Sequence, residues 1–206
     1  MVEAGHARSA LERASLLDLA PGARVAVLVR QGAELQGEPL ARAEERLAAR
    51  LQAVGGTLSR VEPAMDEDLM EAFERHAAQD APELVIVARE PRGRLARLLG
   101  DTPEKLARHG RGPVLVTRLP AEAPYRRVLV GIDYSENARE ALELALRLMP
   151  PEAGPLDVLH CYDTRYALVM HQEGASAKQM VDYYRRRASE ADAGLRAFLQ
   201  PYRDQG

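Results

Sequence analysis

The segment Ala7-Arg8-Ser9-Ala10-Leu11-Glu12-Arg13-Ala14 recurs 131 residues later as Ala138-Arg139-Glu140-Ala141-Leu142-Glu143-Leu144-Ala145. With the residues that follow, the match extends from 7–29 to 138–160 without a gap, and nine of these 23 positions are identical. Each copy has apolar residues at helical spacing and then an apolar run of strand length. A period this long indicates a duplicated domain, because the units of solenoid proteins span roughly 20–50 residues.

The same offset predicts that both copies are incomplete. In the second copy the run Arg126-Arg127-Val128-Leu129-Val130-Gly131-Ile132-Asp133 precedes the helix, and its counterpart would fall before Met1. The counterpart of residues 83–118 would fall after Gly206. We therefore expect a first repeat at 1–119 without its first strand, a linker at 120–125, and the N-terminal half of a second repeat at 126–206.

Helices and strands alternate along the chain. This order predicts an α/β fold with a mainly parallel sheet and helices on both faces. In the first copy, Leu40, Ala43, Leu47 and Leu51 form one helical face. In the second copy, the corresponding face consists of Ala138, Ala141, Leu142, Ala145, Leu146 and Met149. Residues 162–177 form an irregular insertion between a strand and a long helix at about 178–199, and we expect a loop or lid there.

Composition excludes several classes of function. The 206 residues are 46% hydrophobic and carry a net charge of −3 with both signs interspersed, so no nucleic-acid partner is expected. No apolar stretch reaches the roughly 18 residues of a membrane span, and the N-terminus has no signal-peptide pattern. We expect a cytoplasmic protein without a membrane partner. The single cysteine, Cys161, cannot form an internal disulfide.

Two stretches resemble the universal stress protein family in its tandem arrangement. The first is Arg127-Val128-Leu129-Val130-Gly131-Ile132-Asp133-Tyr134-Ser135-Glu136-Asn137-Ala138, which is similar to the family's opening strand, turn and helix. The second is 84–118, which is similar to the family's closing strands and the glycine-containing turn between them. The resemblance implies a Rossmann-like fold of the adenine-nucleotide alpha hydrolase type, with a parallel sheet in the order 3-2-1-4-5 in each repeat. Many members of the family bind ATP or AMP.

The phosphate-binding pattern of the family is degraded in this sequence. Nucleotide-binding members share Gly-x-x-Gly-x9-Gly-Ser/Thr, in which backbone N–H groups approach the phosphates closely. Here Ala88 and Pro91 stand at the first two glycines, and Asp101 stands at the hydroxyl residue. Pro91 has no N–H to donate, and an ionised Asp101 would repel phosphate. We therefore expect no cofactor, or weakly bound ATP or AMP.

If a nucleotide binds, the resemblance implies a small set of contact residues: Asp133, Ser135, Arg89, Arg92, Gly93 and Gly100. Asp133 matches the first-strand aspartate that lies by the adenine in the family, although a structural role at a strand-to-helix turn is equally compatible with its position. Ser135 is a plausible N-cap. The arginines could compensate for the lost glycines, or form a solvated surface.

Three functions remain open at this stage. The sequence shows no arrangement of nucleophile, base or metal ligands, so an enzyme of the related adenine-nucleotide class is disfavoured and no metal site is expected. The first interpretation is a regulatory stress-response protein that acts by association with itself or an unidentified protein, with a degenerate nucleotide site. The second is an ATP or AMP sensor whose site is assembled across repeats or chains.

The closing strand of the first repeat predicts a homodimer. In tandem members of the family the closing strands of the two repeats pair, and the second repeat has none here. We expect the interface at Pro113, Val114, Leu115, Val116 and Thr117. The missing first strand leads to a further expectation: either the strands at 24–29 and 84–88 pair directly, or 126–133 of this or a neighbouring chain lies between them.

Overall fold

The computed structural model describes residues 4–28, 38–61, 69–88, 102–109, 112–150 and 152–203. The chain divides into two compact units, Met1–Pro124 and Tyr125–Gly206. We call them unit 1 and unit 2. Each is a mixture of helices and short parallel strand pairs, as the alternation in the sequence predicts.

The described residues of unit 1 form two parallel strand pairs. Its elements are α1 (Ala4–Ser15), β1 (Arg24–Leu28), α2 (Glu38–Ala53), β2 (Thr57–Val61), α3 (Leu69–Gln79), β3 (Val85–Ala88), α4 (Thr102–His109) and β4 (Val114–Thr117). β1 pairs with β2 from Arg24↔Thr57 to Leu28↔Val61. β3 pairs with β4 from Val85↔Val114 to Ala88↔Thr117.

The described residues of unit 2 form one parallel strand pair and include a 27-residue helix. Its elements are β5 (Val128–Ile132), α5 (Glu136–Leu148), β6 (Leu156–His160), α6 (Tyr166–Gln172) and α7 (Ala177–Arg203). β5 pairs with β6 from Val128↔Leu156 to Ile132↔His160. Because both strands are parallel, their carboxyl ends and the turns that follow them lie at the same edge of the pair.

In the strand numbering of a complete repeat, β1 to β4 correspond to strands 2 to 5, and β5 and β6 correspond to strands 1 and 2. Each observed pair joins strands that are neighbours in the order 3-2-1-4-5, while the complete five-stranded order stays a prediction. Among the described residues β1 has β2 as its strand partner and β3 has β4. The expectation that β1 and β3 pair directly is therefore wrong, and β5 pairs with β6 in a sheet of its own. A strand from a neighbouring chain stays a prediction. Instead of a strand, α1 contacts β3 and β4 and packs on α2.

The core of unit 1 follows the predicted face of α2. Leu40, Ala43, Leu47 and Leu51 are all buried there and pack with α1, which confirms that expectation. The turn after α2 is equally determined by sequence. A Cβ on Gly56 would collide with the carbonyl oxygen of Ala23, so a side chain at this position would push β1 and β2 apart where they start.

The core of unit 2 corrects part of the predicted face of α5. Ala138, Leu142 and Ala145 are buried as expected, but Ala141 and Leu146 are exposed. The reason is that the buried stripe is narrower than the apolar stripe, since α5 covers a pair of strands and not a wide sheet. Phe198 of α7 completes this core.

The insertion at 162–177 is also more regular than expected. It contains α6, whose Ala167 is buried, where the sequence predicts an irregular loop or lid. The segment is short and has Tyr, Val and His within it, so its helical preference is weak without tertiary contacts. No described helix is long and apolar enough to cross a membrane.

Candidate functional site

The turn between β5 and α5 holds two of the residues that the sequence offers to a nucleotide. Ser135 has extended backbone angles, φ −72° and ψ 166°, and its Oγ accepts the N–H of Ala138 at 3.2 Å. It is therefore an N-cap, as expected. Asp133 Oδ1 accepts the N–H of Ser135 at 3.0 Å, which closes a turn across Tyr134.

This turn also lowers the pKa of Asp133. The pKa of the Asp133 carboxyl lies below its ordinary value of 3.8, first because the Ser135 side chain hydrogen-bonds the ionised form and then because the Ser135 N–H does so. Asp133 is exposed, so both hydrogen bonds with Ser135 are accessible to water. The ionised carboxylate lies at the start of α5, where the helix dipole stabilises negative charge.

Tyr134 lies between these two residues in an unusual backbone conformation. Its φ is 65°, in the left-handed region that tyrosine seldom adopts. Its hydroxyl donates to the carbonyl of Ala191 on α7 at 3.0 Å. Its ring lies 4.2 Å from the ring of His160, centre to centre, and 5.8 Å from that of Phe198. The strained backbone is thus offset by contacts that join β5, β6 and α7.

Close packing of Tyr134 depends on a glycine of α7. A Cβ on Gly194 would lie 3.1 Å from the Tyr134 hydroxyl oxygen and 3.2 Å from the adjacent ring carbon. Any larger residue would force the ring to move. Gly194 therefore sets how closely α7 approaches the carboxyl ends of the strands.

His160 ends β6 and presents one nitrogen to the backbone. Its Nδ1 lies 2.9 Å from the carbonyl oxygen of Ile132. A carbonyl only accepts, so Nδ1 carries the proton of this hydrogen bond, and in the neutral ring Nε2 is the acceptor. The neighbouring Cys161 is exposed. The carboxyl edge of the β5–β6 pair therefore combines a carboxylate, a phenol ring and an imidazole.

The structure brings together Asp133 and Ser135 only. The other nucleotide candidates, Arg89, Arg92, Gly93 and Gly100, lie outside the described residues. The predicted dimer residues Val114 to Thr117 form β4, and Pro113 precedes it. Thr117 is buried, with its hydroxyl 3.0 Å from that of Ser9 and 3.4 Å from the carbonyl of Val87, whereas Val116 is 38% exposed.

Unit 1 has a separate polar cluster around Glu12 of α1, whose side chain is only 4% exposed. Glu12 Oε1 accepts Arg8 Nε at 2.5 Å, and Oε2 accepts the N–H of Ala121 at 3.0 Å. Arg46 Nη2 is 3.7 Å away. Beside the cluster lies a cleft of about 660 Å³ lined by three arginines and three glutamates. This balance leaves no net charge that would attract an anion.

Metal binding has no candidate in the described part of the chain, where no three His, Cys, Asp or Glu side chains are grouped as ligands. Tyr134 and His160 are the two residues of the β5–β6 edge that sequence reasoning missed. A partial signal was present, because the strand–helix–strand order places Tyr134 just after one strand and His160 at the end of the next, and the carboxyl ends of parallel strands share one edge. The positive φ of Tyr134 has no sequence signal.

Unit 2 has a distinctive order of elements: a strand, a turn and a capped helix at 128–148, and then β6 and a long helix. This order can be compared with known families. Residues 124–204 match the model of the universal stress protein family. The match covers unit 2 almost entirely but less than half of the chain. No curated protein and no solved structure gives a significant match. The family match supports a universal stress protein-like role.

Proposed function

We propose that the protein is a non-enzymatic stress-response regulator that acts by association with itself or with another protein and binds nucleotide weakly or not at all. The position of Tyr134 carries this proposal. Its ring lies on His160 and its hydroxyl is bonded to α7, so Tyr134 is held in the space beside Asp133, the residue to which the family resemblance assigns adenine contact. Opening this space costs the Tyr134 contacts.

The polar groups at this edge support the same proposal. Asp133 and Ser135 are already engaged with the N–H groups at the start of α5. A ligand would have to compete with these intramolecular bonds, which are formed without the entropy loss of association. In the sequence, Pro91 and Asp101 remove a donor and add a charge at the positions that correspond to the phosphate turn of the family.

Isothermal titration calorimetry with ATP, AMP and their magnesium complexes tests this function. We expect no binding tighter than about 100 μM, which corresponds to roughly −5.5 kcal/mol. Mass spectrometry of the natively purified protein should find no nucleotide carried along. Asp133→Asn provides the matched control, since asparagine keeps the turn-closing oxygen and removes only the charge.

Low-micromolar ATP binding by the wild type that Asp133→Asn weakens would contradict the proposal and favour the nucleotide-sensor alternative. Binding of equal strength in both proteins would also contradict it, and would place the ligand away from Asp133. Hydrolysis of bound ATP would favour the enzyme alternative.

A further inference from the structure

Helix α7 carries an apolar stripe along its whole length. Residues at alternating spacings of four and three share one face: Ala177, Val181, Tyr184, Ala188, Ala191, Leu195, Phe198 and Tyr202. This is the heptad spacing by which helices pack on helices, with Val181, Ala188, Leu195 and Tyr202 at a and the others at d. Every a and d position from Ala177 to Tyr202 is apolar or aromatic, but the two halves of the stripe differ in burial.

The C-terminal half of the stripe is used inside unit 2. Phe198 is buried in the core, and Leu195 and Tyr202 pack against it. The described residues of unit 2 leave the N-terminal half uncovered. Val181 is 46% exposed and Tyr184 44% exposed, and Ala177 and Ala188 are also exposed. We call Ala177, Val181, Tyr184 and Ala188 the exposed stripe.

The exposed stripe lies on a helix whose start is well fixed. Ser176 Oγ accepts the N–H of Gln179 at 3.4 Å, and Gln179 Oε1 accepts the N–H of Ser176 at 2.8 Å, which is a capping box. Arg187 Nε donates to the carbonyl of Asp163, just before α6. A rigid helix face loses little entropy when another helix packs on it.

Unpaired cations border one side of the exposed stripe. Lys178 and Arg185 occupy the e positions next to it, and Arg186 follows on the outer surface. Among residues 152–203 and the other described ranges, none of the three has an ion pair. Charges at e positions select the partner in helix–helix packing, and here they favour a partner with acidic flanks.

We propose that the exposed stripe binds an amphipathic helix of another protein whose apolar face is flanked by Asp or Glu. Val181 and Tyr184 would pack into the partner's apolar face, while Lys178 and Arg185 would pair with its acidic flank. This binding rests on the proposed role in association, and it specifies the class of partner: an amphipathic helix with acidic flanks. Tyrosine and arginine are enriched among the residues that dominate binding energy at protein interfaces.

Two other occupants fit the charges less well. A second copy related by a two-fold axis perpendicular to α7 would bring the cationic edge of one stripe against the cationic edge of the other. Like charges in such contacts disfavour pairing. For an anionic membrane, Asp182 and Glu190 on the same helix offset part of the positive charge of Lys178 and Arg185, which weakens attraction to lipid headgroups.

A pair of synthetic peptides tests the proposal on the full-length protein. Both are helical, about three heptads long, with leucine at a and d; one has glutamate at e and g and the other has lysine there. In fluorescence anisotropy we expect the glutamate peptide to bind at least about tenfold more tightly than the lysine peptide. Equal affinities, or no binding of the glutamate peptide, would overturn the proposal.

Variants locate the binding surface. Val181→Glu should weaken binding of the glutamate peptide at least about tenfold, because it places a charge in the apolar contact. Ser189→Glu adds the same charge on the same helix away from the stripe and should change binding much less. In Lys178→Glu/Arg185→Glu the preference should reverse toward the lysine peptide. Binding that all of these variants leave unchanged would overturn the assignment.

Two further measurements decide between occupants. Sedimentation of the protein alone that shows a dimer abolished by Val181→Glu would overturn the proposal in favour of a second copy. Co-sedimentation with phosphatidylserine vesicles that Val181→Glu abolishes would overturn it in favour of a membrane. A negative result in the peptide assay contradicts the partner class but does not change the nucleotide titration. The partner class and the proposed function are therefore tested independently.

Discussion

Asp133, Tyr134 and Ser135 connect β5 to α5, and each stabilises a different contact. Ser135 caps α5, Asp133 closes the turn onto Ser135, and Tyr134 fixes α7 through Ala191. The Asp and Ser roles could be predicted from sequence, because both residue types favour turns and helix starts. The role of Tyr134 could not be, since it depends on Gly194, which is distant in sequence and lies in another helix.

The lowered pKa of Asp133 predicts a pH dependence of stability. Because the pKa in the folded state lies below the ordinary value of 3.8, ionised Asp133 stabilises the folded protein. This contribution is complete above pH 3.8 and is lost as the pH falls through the lowered pKa. Urea unfolding of the wild type and Asp133→Asn at a series of pH values should show a difference that shrinks over this range.

Ser135 provides the control for that measurement. The Ser135 side chain is the first cause of the lowered pKa, so Ser135→Ala should move the NMR titration midpoint of Asp133 upward toward 3.8. A midpoint that Ser135→Ala leaves in place, or a stability difference that does not change with pH, would show that the turn does not control this carboxyl.

At the scale of elements, the sequence predicts long helices with one apolar face. It does not predict a short helix such as α6, or which half of an apolar stripe is buried in a helix such as α7. The buried face of α2 agrees with its sequence pattern residue by residue. α6 was missed because its seven residues depend on contacts with α7. The heptad spacing of α7 is visible in the sequence, but the sequence does not show that its N-terminal half stays exposed.

The buried carboxylate of Glu12 makes α1 sensitive to a single substitution. Glu12→Ala removes the acceptor of Arg8 and of the Ala121 N–H, and leaves that buried N–H without a partner. We expect a loss of about 2–3 kcal/mol in the free energy of unfolding. Urea unfolding followed by circular dichroism measures it.

The repeat offers a matched control for Glu12. Glu143 occupies the equivalent position in α5 and accepts the Tyr202 hydroxyl at 2.9 Å, but it is exposed. Glu143→Ala should cost less than about 1 kcal/mol, because water replaces the lost contact. Equal losses for the two variants would mean that burial does not set the contribution of Glu12.

At the scale of the whole molecule, the sequence predicts which strands are neighbours better than it predicts complete sheets. Each of the three pairs follows from short crossovers through one helix, which impose parallel pairing locally. The order of all strands depends on contacts between distant segments, and these have no local pattern. The same limit applies to association between chains, which is why the dimer stays a prediction.

That dimer is predicted through β4. Among the described residues β4 pairs with β3 on one edge and has no strand partner on the other, and Val116 within β4 is exposed. A two-fold axis would let the same strand of a second chain pair with this edge.

Leu115→Pro should then give monomer or aggregate in light scattering, and Val116→Lys should weaken the dimer with less disturbance of β4. Val181→Glu, on α7, should leave it intact. A wild type that is monomeric at high micromolar concentration, or a dimer that Leu115→Pro and Val116→Lys both leave unchanged, would rule this interface out.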